Sequence, residues 1–310
     1  GFAGTVQFFL ISVSIGLSIA ATARVSRAIG AGEPDRARRL AASSMVTLVA
    51  CLGVVAAMVW LARWEILGLL GARGPAREIA SDFLAVVLLG MPLLGVGMVA
   101  GGLLRAIGDA RRAMLVTLGG GCIAAVLDPL FIFGFGLGID GAAIVSVIAR
   151  ISTAMIGLWA AVAIHDMVAR PDPGHVRADA PGLLSIAGPA VATQVSTPLG
   201  LAYLTNQMAQ FGDEAVAGWA VVGRMTSLAF GGIFALSGAV GPILGQNLGA
   251  GRYDRIRTTY RDSLIFAAGY VLVVWLALAL AAPAIAAAFG LTGAGVAVFE
   301  TFTHVGAGAY

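Results

Sequence analysis

Apolar residues run along this chain in blocks of about 20 or more, the length that crosses a hydrocarbon core, and short polar breaks separate them. The blocks fall near residues 1–30, 40–62, 79–104, 113–136, 139–164, 181–211, 215–247 and 260–288, with another opening near 293. None alternates with a period of two, as the strands of a membrane β-barrel would. Helices are then the way left to satisfy backbone polar groups in lipid, so the pattern predicts an all-α, polytopic membrane protein. Composition agrees: 59% of residues are hydrophobic, 11% are charged and mean hydropathy is +0.94, whereas roughly a quarter of a soluble domain is charged.

The polar breaks carry a repeat. Gly-Ala-Gly-Glu-Pro-Asp-Arg-Ala-Arg at 30–38 returns as Gly-Ala-Gly-Arg-Tyr-Asp-Arg-Ile-Arg at 249–257, matching at six of nine positions with an offset of 219 residues. Six spans separate the copies, and an even number returns the chain to the same side. The spacing predicts two parallel, pseudo-symmetric repeats about an axis along the membrane normal. The boundary is the polar stretch 165–180, with Pro171, Pro173, Asp166, Asp172 and Asp179, which reads as a cytoplasmic linker. The expected lobes are 1–164 and 181–310. Shifting by the offset leaves the first lobe without its opening helix and the second without its last ones, so about nine to ten of twelve spans are expected here.

Charge bears on topology. All 19 basic residues are Arg, and the net charge is +3. Alternate connections carry Arg36, Arg38 and Arg39; Arg105, Arg111 and Arg112; Arg170 and Arg177; then Arg252, Arg255, Arg257 and Arg261. The opposite connections hold Arg63, Arg73 and Arg77 among Glu65, Glu78 and Asp82. The positive-inside rule therefore puts the Gly-Ala-Gly turns in the cytoplasm, and nothing in the balance calls for nucleic acid. Cys51 and Cys122 lie inside apolar blocks and read as small hydrophobes. His165, His175 and His304 are too scattered for a metal site.

Three motifs follow one another: Gly-Gly-Leu-Leu-Arg-Ala-Ile-Gly-Asp at 101–109, Leu-Asp-Pro-Leu-Phe-Ile-Phe-Gly at 127–134 and Gly-Ile-Asp-Gly-Ala-Ala-Ile at 138–144. With the repeated turn, they resemble the multidrug and toxic compound extrusion (MATE) family in its prokaryotic branch. The resemblance implies two six-helix bundles around a central cleft, no enzymatic activity and no cofactor. It also implies a monomeric cation-coupled antiporter of the bacterial cytoplasmic (inner) membrane, using a proton or Na+ to export drug-like or cationic organic compounds.

Asp128 is the leading candidate for coupling, since a carboxylate inside a span is costly unless it faces the protein interior. The family's cation site, as the resemblance implies, joins a first-helix Asp to an Asn-x-x-x-Asp pair and a hydroxyl on the next helix. Asp128 matches the second Asp and Ser146 the hydroxyl, whereas Ala124 stands where the Asn belongs. With one oxygen fewer, a proton is favoured over sodium, because a bare cation needs several oxygens. Arg150 lies on the Ser146 face of its helix and is expected either to pair with Asp128 or to clamp neighbouring helices. Ser14, Ser18 and Thr22 form one hydroxyl line, and Gln194, Thr197, Asn206 and Gln207 stud another span. These seven are candidates to line the cleft or to bond helices together. Thr197 also occupies the position eight beyond Pro189 at which another branch of the family has a Glu. Pro92, Pro129, Pro189, Pro198 and Pro242 should each break a helix.

Two other functions compete. A lipid-linked oligosaccharide flippase would need several arginines in its cleft for a pyrophosphate, and the spans hold Arg24, Arg150 and Arg224. An intramembrane hydrolase would need a nucleophile with its base or a metal motif, and neither Gly-x-Ser-x-Gly nor His-Glu-x-x-His occurs.

Overall fold

The computed structural model describes residues 2–309. The expected first span and second lobe each run one residue past it. Twelve α-helices follow in order: α1 Phe2–Gly30, α2 Pro34–Leu61, α3 Arg63–Leu69, α4 Pro75–Val87, α5 Met91–Ala106, α6 Ala110–Pro129, α7 Gly138–Leu158, α8 Pro173–Ala209, α9 Asp213–Ala229, α10 Gly231–Gly249, α11 Tyr253–Ala288 and α12 Gly293–His304. The described residues contain no strand, so the chain is all-α.

Among the described residues, six segments are long and apolar enough to cross a membrane: Phe2–Gly30, Pro34–Leu61, Pro75–Ala106, Ala110–Gly134, Gly138–Ile164 and Tyr253–Ala288. A seventh is the pair α9 and α10, bent by 45° at their junction. By length and composition this is fewer than the nine to ten expected. The block at 181–211 lies in α8, which has 37 residues but is too polar to qualify, with Gln194, Ser196, Thr197, Asn206 and Gln207 along it. The block opening near 293 forms α12, only 12 residues long.

The expected linker is helical in its second half. Pro173 opens α8, and Asp172 accepts the backbone N–H of His175 at 2.9 Å. A side-chain cap followed by proline in the first turn is a helix start; read as a breaker, that proline placed the boundary too late. Of the prolines expected to break helices, Pro189 and Pro198 lie inside the continuous α8. Pro92 follows a 3-10 turn at Leu88–Gly90, and Pro129 precedes a π turn at Leu130–Gly134. Pro242 lies within α10, while the bend beside it falls at Phe230, where no proline stands.

The chain forms two compact units. One comprises the residues up to Ser196 together with Gly241–Arg252, and the other Thr197–Val240 with the residues from Tyr253 onward. These differ from the expected lobes, because most of α8 and the end of α10 pack with the first helices. In the first unit Leu17, Ala20, Ala21 and Val25 of α1 meet Leu40 and Leu48 of α2, Val99 and Leu103 of α5, and Leu183 and Ala187 of α8. In the second, Val221 and Val222 of α9 pack with Ala282 of α11 and Phe299 of α12. Glu214 caps α12 there: its carboxylate accepts the Ala294 N–H at 3.1 Å and the Thr292 hydroxyl at 3.0 Å.

Close helix contacts are made through glycine. The Thr22 hydroxyl of α1 occupies the space where a Cβ on Gly102 of α5 would stand. Gly120 of α6 likewise receives Thr153 of α7, and a Cβ on Gly157 of α7 would lie 2.7 Å from Ala100 of α5. Small residues let backbones approach where lipid supplies no hydrophobic drive between helices.

Candidate functional site

Asp128 stands one residue before Pro129, where α6 gives way to the π turn. It is partly exposed, and no hydrogen bond or ion pair reaches its carboxylate among the described residues. Two contacts fix the register of α6 against α7: a Cβ on Gly141 would lie 2.9 Å from the Phe131 carbonyl group, and Thr153 fills the space beside Gly120. Interpolating along this antiparallel pair puts Ser146 level with residues 126–127, within two residues of Asp128. The hydroxyl and the carboxylate thus share a depth on neighbouring helices, without a hydrogen bond between them.

Arg150 does not pair with Asp128. It is buried at 6% exposure, and its guanidinium donates to the carbonyl of Val87 at 2.6 Å. The cause lies in the broken α4–α5 segment. The N–H of Met91 turns to Leu88 in the 3-10 turn, which frees the Val87 carbonyl for another donor. Arg150 supplies that donor, and its stem packs at Gly90, whose added Cβ would lie 3.0 Å from Arg150 Cδ. The clamp expectation describes this geometry, and the ion-pair expectation is corrected.

The hydroxyl line on α1 is buried in packing: Ser14 is fully buried and bonds the Leu10 carbonyl at 2.9 Å, Ser18 is 8% exposed, and Thr22 packs on Gly102. On α8, Gln194 is half-buried in the first unit, while Thr197 and Asn206 are exposed and Gln207 half-buried in the second. Gln207 accepts from Gln210 at 3.0 Å.

Two clusters escaped the sequence reading. Asp179, assigned to the linker, is 8% exposed on α8. Its carboxylate accepts the Ser43 hydroxyl at 3.0 Å and lies 3.4 Å from Arg39 Nε and 3.8 Å from Arg24; Arg24 also donates to the Asp179 backbone carbonyl at 2.7 Å. The available signal was Arg24, an arginine near the end of an apolar span, which calls for a partner. The second cluster is Asp109, which caps α6 through the N–H of Arg112 at 3.0 Å, binds the Arg112 side chain at 2.6 Å and lies 2.7 Å from His165 Nε2. The Arg112 side chain above all, then its N–H and His165, hold this carboxyl well below the ordinary carboxylate range. No group of three or more His, Cys, Asp or Glu among the described residues is arranged to hold a metal.

Comparison with known proteins gives the following. The family model described as MatE matches residues 1–130 and 189–306. The FAD transporter of Shewanella oneidensis is 29% identical over 291 residues, covering 92% of this chain and 64% of that protein. The multidrug export protein MepA of Staphylococcus aureus is 24% identical over 279 residues, covering 87% of this chain and 60% of that one. A crystal structure of a mutant of the Vibrio cholerae MATE transporter VcmN superposes with a TM-score of 0.92 at 28% identity, covering the whole of this chain and 70% of the other. The chain thus spans less than two thirds of the length of these curated relatives.

Proposed function

Because the chain belongs to the MatE family, we propose that the protein it comes from is a secondary antiporter of the bacterial cytoplasmic membrane, exporting small organic compounds against an inward cation gradient, with the Gly-Ala-Gly turns on the cytoplasmic side. Members of this family are transporters rather than enzymes.

Asp128 carries the reading. It is an intramembrane carboxylate with no ion-pair partner among the described residues, and Arg150, the candidate expected to neutralise it, is engaged by the Val87 carbonyl instead. Ser146 at the same depth offers a hydroxyl to either protonation state. A sodium ion requires several oxygens, and the Asn-x-x-x-Asp pattern is short of one at Ala124. Protons are therefore the coupling ion in this account.

The cargo is a drug-like or cationic organic compound in the first instance, the drug-like reading being favoured by the name of the multidrug export protein MepA. A flavin dinucleotide is the second reading, favoured by the name of the Shewanella relative. The flippase reading weakens, since Arg24 and Arg150 are engaged by Asp179 and Val87 and are not free for a pyrophosphate. Proteoliposomes of the full-length protein test the proposal: uphill movement of ethidium or of FAD, driven by an imposed pH gradient in sodium-free buffer, is expected. Transport that stops without sodium and returns on adding it would overturn the proton assignment, and movement of FAD alone would decide the cargo.

A further inference from the structure

The repeated turn is duplicated down to its hydrogen bonds. At the end of α1 the N–H groups of Ala31, Gly32 and Glu33 bond the carbonyls of Arg27, Ile29 and Ala28; at the end of α10 those of Ala250, Gly251 and Arg252 bond Gln246, Leu248 and Asn247. Every member is displaced by the same 219 residues. Gly32 and Gly251 take the matching left-handed φ of 74° and 68°, which glycine adopts without strain.

The two turns also meet. A Cβ on Gly30 would overlap the backbone of Gln246, and one on Gly249 would overlap the carbonyl of Arg27. Position 246 is the repeat counterpart of 27, and 249 that of 30. The contact is therefore isologous in kind: each copy offers the same two positions to the other, as in a two-fold interface. Next to it, a Cβ on Gly245 would lie 2.9 Å from the Cβ of Ser26, a residue fully buried with its hydroxyl unbonded among the described residues. Gln246 donates to the Ala106 carbonyl at the end of α5. One turn along α1 stands Arg24, tied to Asp179 of α8 beside Arg39 and Ser43 of α2.

No residue of α10 belongs to the buried apolar cluster of the first unit. Glycine backbones lie flat on one another, with few side chains to withdraw, and the fastening is a group of polar contacts with partly exposed arginines. Packed leucines would hold such a joint permanently; the α1–α10 contact has none, whereas on α8 Asp179 stands one turn from Leu183, which packs in the first unit's core. A carrier that exposes its site to one side at a time needs such a joint.

We propose that the paired ends of α1 and α10 are a closure that parts during each transport cycle, and that Asp179 is its latch. This rests on the reading of the protein as an alternating-access exporter.

The test uses the full-length protein in a Cys51→Ser, Cys122→Ser background. In a Ser26→Cys, Gly245→Cys pair, the separation across the seam is only slightly below the disulfide range of about 3.5–4.5 Å between Cβ atoms. Oxidation is expected to remove both thiols from reaction with a polyethylene-glycol maleimide and to cut export at least tenfold, with recovery on reduction. In a second arm, Ser26→Cys alone should react with an impermeant maleimide from the turn side several-fold faster when Asp179→Asn is added, at an unchanged melting temperature. Failure of the thiols to join, full export by the oxidised protein, or an unchanged labelling rate in the Asp179→Asn variant would each overturn the proposal. If the cysteine-free parent exports nothing, the export reading fails, and the labelling arm still decides whether the seam opens.

Discussion

Arg150 brings a guanidinium into the apolar length of α7 and meets a backbone carbonyl rather than a carboxylate. A hydrogen bond of that kind from a charged donor is worth roughly 1.5–3 kcal/mol, and its removal strands the Val87 oxygen in a site without water. Arg150→Met should therefore destabilise the protein by about 1–3 kcal/mol. Since Asp128 is not its partner, adding Asp128→Asn should contribute independently, within about 0.5 kcal/mol of the sum of the singles. Thermal unfolding of the four proteins in detergent reads this, and coupling above about 1 kcal/mol would mean the two charges meet after all. Asp109 makes a different kind of prediction. Its carboxyl is depressed by Arg112 first, so its contribution is present above the unfolded-state value of about 3.9 and fades as pH falls through the lower folded value. Compared in a His165→Asn background, the melting-temperature deficit of Asp109→Ala should stay constant from pH 8 to pH 5 and shrink only in stronger acid. A deficit that keeps its full size in stronger acid would show the carboxyl to be unperturbed.

At the scale of elements, helices join helices here through glycine and hydroxyl, and the joint between α1 and α5 is the simplest to break. Gly102→Ala drives a methyl into the Thr22 hydroxyl, which should cost about 1–3 kcal/mol by overpacking, and Thr22→Ala should restore most of it. A double variant no more stable than Gly102→Ala alone would place the strain elsewhere. Such joints also explain what could be read from the sequence. Long apolar runs announce helices, and the duplicated turn was legible because it depends on local chemistry, whereas α2, α8 and α11 begin six to eight residues before their apolar blocks, in polar first turns. The α4–α5 break was visible as Pro92, yet its consequence was not: the freed carbonyl is that of Val87, and only the fold brings Arg150 to it. Asp179 was misassigned for the same reason, because a carboxylate 155 residues from Arg24 in sequence carries no local sign of its partner. Ser14, Ser18 and Thr22 have the spacing of a cleft face, and in the fold that face is covered by neighbouring helices.

For the molecule as a whole, the duplicated chain supplies the architecture, and in the function proposed above Asp128 supplies the coupling chemistry. The apolar surface left on α11, including Val273, Leu276 and Leu280, suits lipid, and the arginine-rich connections suit the cytoplasmic face. Within that frame Asp128, at the broken end of α6, is an intramembrane carboxylate that no ion pair among the described residues offsets. The account therefore stands or falls on a single comparison: uphill export by full-length wild type and Asp128→Asn, reconstituted in equal amounts in sodium-free proteoliposomes under an imposed pH gradient, using whichever of ethidium and FAD the wild type moves. The expected result is accumulation by the wild type and at least a tenfold loss in the variant, with downhill exchange retained. Uphill export by Asp128→Asn at the wild-type rate would contradict it.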